Sequence, residues 1–99
     1  MSKIDTMTAI RFRAGQPYNN TNTQVTVSDN GESRLYLWGN LIAWTSDNRS
    51  KLNINQCGWD TATTNSRLRA LGVNICHKRT RLYINGQPAD SDTTYTMAY

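Results

Sequence analysis

Residues 8–14 alternate apolar and polar with period two, which sets Ile10 and Phe12 on one face and Arg11 and Arg13 on the other. The pattern predicts a first, half-exposed strand. Residues 15–23 hold one Gly, one Pro and three Asn and predict a flexible loop. Alternation resumes over residues 24–28, and Asp29-Asn30-Gly31 follows directly. An Asn-Gly pair with positive φ at both centres is a strong hairpin signal, so this second strand folds back onto the next. Residues 34–38 send Leu35 and Leu37 to one face and Tyr36 and Trp38 to the other. Gly39-Asn40 is expected to make a two-residue turn, residues 41–45 a buried strand and residues 46–50 a polar loop. Residues 51–55 then form a strand with Leu52 and Ile54 inward. Short strands joined by tight turns make an antiparallel meander.

The period changes after Gly58-Trp59. Asp60 or Thr61 can cap a helix running to Leu71, in which Thr64, Leu68 and Leu71 fall on one face, and Gly72 stands where a left-handed C-terminal cap belongs. With one apolar stripe and about three turns, such a helix needs a sheet to lie on. Residues 79–85 predict the next strand, Leu82 and Ile84 inward, Arg81 and Tyr83 outward. Asn85-Gly86 predicts a turn, and residues 93–99 a last edge strand through which two copies could pair as a homodimer. The expected order is β-β-β-β-β-α-β-β, an α+β fold in which one antiparallel meander sheet is packed by one short helix.

Length adds a bound. Ninety-nine residues make a single domain, 1–99, burying about 60–65% of its unfolded surface and leaving little room for an enclosed multi-residue active site. Thr and Asn, 13 and 11 residues, reinforce a fold of strands and turns. No run approaches the roughly 20 apolar residues needed to span a bilayer. The opening Met1-Ser2-Lys3-Ile4-Asp5-Thr6 lacks the apolar stretch of a secretory signal, so a soluble, intracellular, full-length protein with no membrane partner is expected. Cys57 and Cys76 are too few for a disulfide scaffold and read as small half-buried hydrophobes, with a bridge between them the alternative.

Catalytic chemistry is poorly supplied. His77 is the only imidazole, and its neighbour Cys76 points to the opposite face of a strand, so the two do not form a nucleophile–base pair. The seven acids fall mostly in apparent turns; spacings 57, 76 and 77 do not match a closed zinc site, and no phosphate-cradling glycine loop is present. The expectation is a non-enzymatic protein with no catalytic residue, metal or cofactor.

Charge carries the stronger signal. The net charge is +4, yet no acid occurs between Thr61 and Ala89, a stretch that holds Arg67, Arg69, Lys78, Arg79 and Arg81. Arginines outnumber lysines 8 to 3, and guanidinium suits bidentate phosphate contact and base stacking better than ammonium. These five cations, with Tyr83 beside them, are the expected nucleic-acid-binding residues, Arg67 and Arg69 projecting from the helix. Tyr36, Trp38 and Trp44 supply stacking platforms or, equally, the aromatic anchors of a protein interface. Two kinds of partner follow, nucleic acid or another protein.

Two segments carry a resemblance. Gly39-Asn40-Leu41-Ile42-Ala43 and Gly58-Trp59-Asp60-Thr61-Ala62-Thr63-Thr64-Asn65-Ser66-Arg67-Leu68 fit the patterns Gly-Asn-x-Ile-Ala and Gly-Trp-x-Thr-x-Thr-Thr-x-x-Arg-Leu. Over residues 24–85 the chain resembles a family of small proteins encoded by tailed bacteriophages. Trp38 and Arg69 depart from the pattern, standing where histidine and asparagine are expected. The resemblance implies a source rather than a mechanism: a phage accessory protein that works in the host cytoplasm by binding nucleic acid or by inhibiting a host enzyme or antiviral defence complex, or a minor virion component. The same residues also fit structural duties: a tight turn at Gly39-Asn40, a plug at Trp59, and helix initiation at Thr61, Thr63 and Thr64.

Overall fold

The computed structural model describes residues 2–99. The chain opens with a helix, α1 (Lys3–Ala14), and continues through five strands, β1 (Tyr18–Asn20), β2 (Thr23–Val27), β3 (Ser33–Leu37), β4 (Asn40–Ser46) and β5 (Lys51–Ile54). A second helix, α2 (Ala62–Ala70), leads to β6 (Ile75–Lys78), β7 (Arg81–Ile84), β8 (Gln87–Pro88) and β9 (Tyr95–Ala98). The strands form two antiparallel sheets, one ordered β1-β2-β3-β4-β5-β9 and the other β6-β7-β8. The expected architecture of one meander sheet and one helix is therefore corrected to two sheets and two helices. Everything from α2 to β8 is an excursion between the neighbouring strands β5 and β9.

The strand expected over residues 8–14 is the second half of α1. A helix forms because Ser2 and Asp5 make a reciprocal capping box, while Gly15, at φ +66°, closes the other end with its N–H on the last carbonyls. Its buried residues are Asp5, Thr8, Ala9 and Phe12, a spacing of i, i+3, i+4 and i+7. Two of the four are polar, so the 3.6-residue period does not show in a hydrophobicity pattern. Ile10, assigned to the core with Phe12, is 52% exposed. The helix at α2 begins on its expected cap, Thr61, whose side chain accepts from the Thr64 N–H, and buries Thr64 and Leu68, with Leu71 following.

Turn chemistry set two boundaries differently. The β3–β4 hairpin pairs Leu37 with Asn40, so its central residues are Trp38-Gly39, both at positive φ (48° and 78°), one residue earlier than the expected Gly39-Asn40. The expected strand over 79–85 begins late, because Arg79 and Thr80 (φ 51° and 67°) are the centre of the β6–β7 hairpin and β6 precedes them. In the β2–β3 connection only Gly31 has positive φ, not both centres of the Asn-Gly pair. The Asn85-Gly86 turn joins β7 to β8 as expected, and β1 lies within the segment expected to be a loop.

A bulge on β4 shapes the sheet. Leu35 pairs with Ala43 and Tyr36 with Leu41, which leaves Ile42 as the extra residue, and Ile42 and Ala43 are both buried at 1% or less. Helices α1 and α2 cover this inner face, where Phe12, Val25, Leu35, Leu37, Leu52, Ile54 and Leu68 form one core with Ile75, Leu82 and Ile84 of the second sheet. Arg34, Tyr36, Leu41 and Trp44 share the opposite, outer face by strand alternation. No helix among the described residues is long and apolar enough to cross a membrane. Cys57 and Cys76 are free thiols, both half-buried; burial pushes the Cys57 thiol up, and its Sγ lies 3.3 Å from the Leu41 carbonyl.

Candidate nucleic-acid interface

The six residues expected to touch nucleic acid divide into two groups. Arg67 does not project from α2: it is 5% exposed, and its Nη1 pairs with the Asp5 carboxylate while its Nε donates to Thr23 Oγ1 at 3.1 Å. One side chain thus joins α2 to α1 and β2. Asp5 also accepts from the Ser2 backbone N–H and the Ser66 hydroxyl. Burial raises the Asp5 carboxyl, but hydrogen bonds from Ser66, Arg67 and Ser2 outweigh it and hold the group below its ordinary 3.8. Arg69 is exposed, yet its Nε and Nη2 both donate to the Ile75 carbonyl, at 3.0 and 2.7 Å.

Lys78, Arg79, Arg81 and Tyr83 come together on the β6–β7 hairpin. Ile75, Leu82 and Ile84 turn inward, so the cross-strand pairs Cys76–Tyr83 and Lys78–Arg81 share the outward face. Lys78, Arg79 and Arg81 are exposed, and Lys78 Nζ stands 5.8 Å from the Tyr83 ring centroid. The register sets Lys78 directly opposite Arg81, a like-charge pairing that destabilises a ladder. Between them Arg79 and Thr80 hold left-handed backbone without glycine or asparagine, which costs roughly 1–2 kcal/mol per residue. Repulsion and strain therefore concentrate at one exposed tip.

The hairpin is tethered close to its tip, one ladder pair below Lys78–Arg81. His77 Nε2 lies 2.7 Å from Asp60 Oδ2, and the other Asp60 oxygen accepts from Gln56 Nε2 at 3.1 Å and Asn65 Nδ2 at 2.8 Å. Burial raises the Asp60 carboxyl, but hydrogen bonds from Asn65 and His77, the His77 charge and Gln56 together lower it below 3.8. His77 and Cys76 alternate across β6, so the lone imidazole serves this contact rather than the thiol.

The three aromatic candidates stand on one hairpin, β3–β4. Tyr36 and Trp44 are half-buried on the outer face, and Trp38 is 54% exposed at the turn. Trp38 adopts φ +48° in a turn whose favoured residue there is asparagine, so its own backbone is strained at the surface. Trp59 is also exposed, at 53%, and does not plug helix to sheet.

Sequence reasoning missed how much of the basic charge is spent internally. Arg49 donates to the Phe12 and Arg13 carbonyls at the end of α1, and to Gly31 O and Ser33 Oγ; Arg13 donates to Ala70 O at the end of α2. Arg11 donates to the Pro17 carbonyl. Arg34, Arg79 and Arg81 have no such partner among the described residues. No local signal marked this: Arg11, Arg13, Arg67 and Arg69 all fall in the last turns of helices, yet none donates to a carbonyl of its own helix.

Among known proteins, the family model described as Kyanoviridae Gp96 protein matches residues 1–96. No curated protein and no solved structure matches the chain.

Proposed function

The chain belongs to the Kyanoviridae Gp96 protein family of small phage proteins, and from that premise we propose that it is a non-enzymatic protein that binds nucleic acid through the β6–β7 hairpin. The observation that carries this reading is the tip itself: Lys78, Arg79 and Arg81 exposed around one strained turn, with no acid within the hairpin and Tyr83 beside them. An anion bridging Lys78 and Arg81 turns a repulsive cross-strand pair into an attractive site, and the half-buried Tyr83 ring adds an aromatic surface beside it. Arg69 lends charge at the base of the hairpin; Arg67, buried on Asp5, does not enter the interface.

Three phosphate contacts predict that log K for a single-stranded oligonucleotide falls with log[salt] at a slope of about −2. A titration between about 50 and 200 mM salt measures it. Binding that is salt-independent, or absent at the lower salt, contradicts the reading.

A host protein is the second reading. It is favoured by the outer sheet face, where Tyr36, Arg34 and Trp44 stand together. Under it, Trp44→Ala weakens a defined protein complex by more than about 2 kcal/mol while oligonucleotide binding is unchanged.

A further inference from the structure

A recess elsewhere on the surface shares no residue with the cationic hairpin. The tips of the β1–β2 and β3–β4 hairpins are stitched together where the Trp38 N–H donates to the Asn22 carbonyl at 2.8 Å. Between them opens a cleft of about 270 Å³ lined by Asn19, Asn20, Asn22, Gln24, Tyr36 and Trp38, with two threonines and Gly39. Three lining residues, Asn19, Gln24 and Tyr36, form one row across β1, β2 and β3, each directly opposite the next. Their side-chain amides and phenol have no hydrogen-bond partner among the described residues. Asn20 and Asn22 are held: Asn20 Nδ2 donates to the Tyr18 hydroxyl at 3.2 Å, Asn20 Oδ1 accepts from the Thr21 N–H at 2.7 Å, and Asn22 Oδ1 accepts from Thr23 Oγ1 at 2.8 Å.

The chemistry of this lining is narrow. Carboxamides offer donor and acceptor together without charge, as a sugar hydroxyl does, so an Asn/Gln row can exchange hydrogen bonds with a polyol in both directions. The exposed Trp38 ring at the rim offers an apolar face to the C–H side of a pyranose. No lining residue is charged, so a phosphate entering the cleft meets no counter-charge. The volume lies just below the range of drug-sized ligand sites, about 300 Å³ and upward, which suits one sugar ring rather than an extended polymer.

We propose that this cleft is a saccharide-binding site, taking one neutral sugar ring of a glycan with Trp38 as the stacking surface and the Asn19, Gln24 and Tyr36 row as the hydrogen-bonding floor. Binding of a single ring in an open cleft is weak, with Kd of about 0.1–10 mM. The test follows the Trp38 indole and the Asn and Gln side-chain amide signals of the whole protein by proton–nitrogen NMR during titration with maltose, cellobiose, lactose and N,N′-diacetylchitobiose. Adenosine serves as an uncharged comparator that also stacks. At least one disaccharide shifts the Trp38, Asn19 and Gln24 signals saturably, and adenosine does not. Trp38→Asn, which makes the turn an Asn-Gly pair suited to its φ, weakens that sugar at least tenfold at an unchanged or higher melting temperature. Silence with all four sugars overturns the proposal. So does a response to adenosine alone, which makes the cleft a base pocket, or full sugar binding by Trp38→Asn.

Discussion

Arg67 and the pair Arg79 and Arg81 come from one acid-free stretch of chain, and the fold sends them to opposite fates. Arg67 is buried, with its guanidinium spread over Asp5 and Thr23, and it joins three elements. Arg79 and Arg81 stand on a hairpin tip, exposed, with another cation across the ladder. A positive charge counted in sequence is therefore not a charge available to a partner. What separates the two is where a carboxylate or a helix-terminal carbonyl happens to lie in space.

The buried side of this contrast breaks first. Arg67→Ala leaves Asp5 charged, buried and short of its main partner, which costs about 3–5 kcal/mol and is read from the urea denaturation midpoint. Acid probes the same carboxylate without mutation. Asp5 and Asp60 are both held below their ordinary 3.8 in the folded chain, so the unfolded chain takes up protons more readily. The stability they contribute is complete above the ordinary carboxylate value and is lost as pH falls through their lowered values. Urea midpoints across that range fall with pH, and Asp60→Asn removes part of the dependence. The exposed side responds by far less and in the opposite direction. Arg81→Gln, which removes no partner contact, relieves the repulsion against Lys78 and stabilises the fold by about 0.3 kcal/mol at low salt, a gain that shrinks as salt is added.

How much of this was legible in the sequence depended on whether the local pattern and the tertiary need agreed. Strands β2 to β5, the Thr61 cap, the Asn85-Gly86 turn and the edge strand β9 were legible from alternation and turn residues, although the β3–β4 turn sets Trp38 where asparagine is usual and β4 carries a bulge. Helix α1 was hidden because Asp5 and Thr8 occupy half of its buried seam, although Ser2 and Asp5 had the spacing of a capping box. Strand β6 was hidden because its turn, Arg79-Thr80, uses neither Gly nor Asn. The grouping of Lys78, Arg79, Arg81 and Tyr83 was visible as a run of residues but not as one face, since that required the turn. The duty of Arg67 could not be read locally at all, because its carboxylate partner is 62 positions away.

The most direct measurement compares two charge-matched variants in the oligonucleotide titration at about 50 mM salt. Arg79→Glu with Arg81→Glu, and Lys3→Glu with Lys51→Glu, lower the net charge equally, the second pair at exposed sites on α1 and β5. If the free cations of the β6–β7 hairpin form the site, the first variant loses binding while the second keeps most of it. Equal loss in both would make the attraction a property of overall charge and contradict the account.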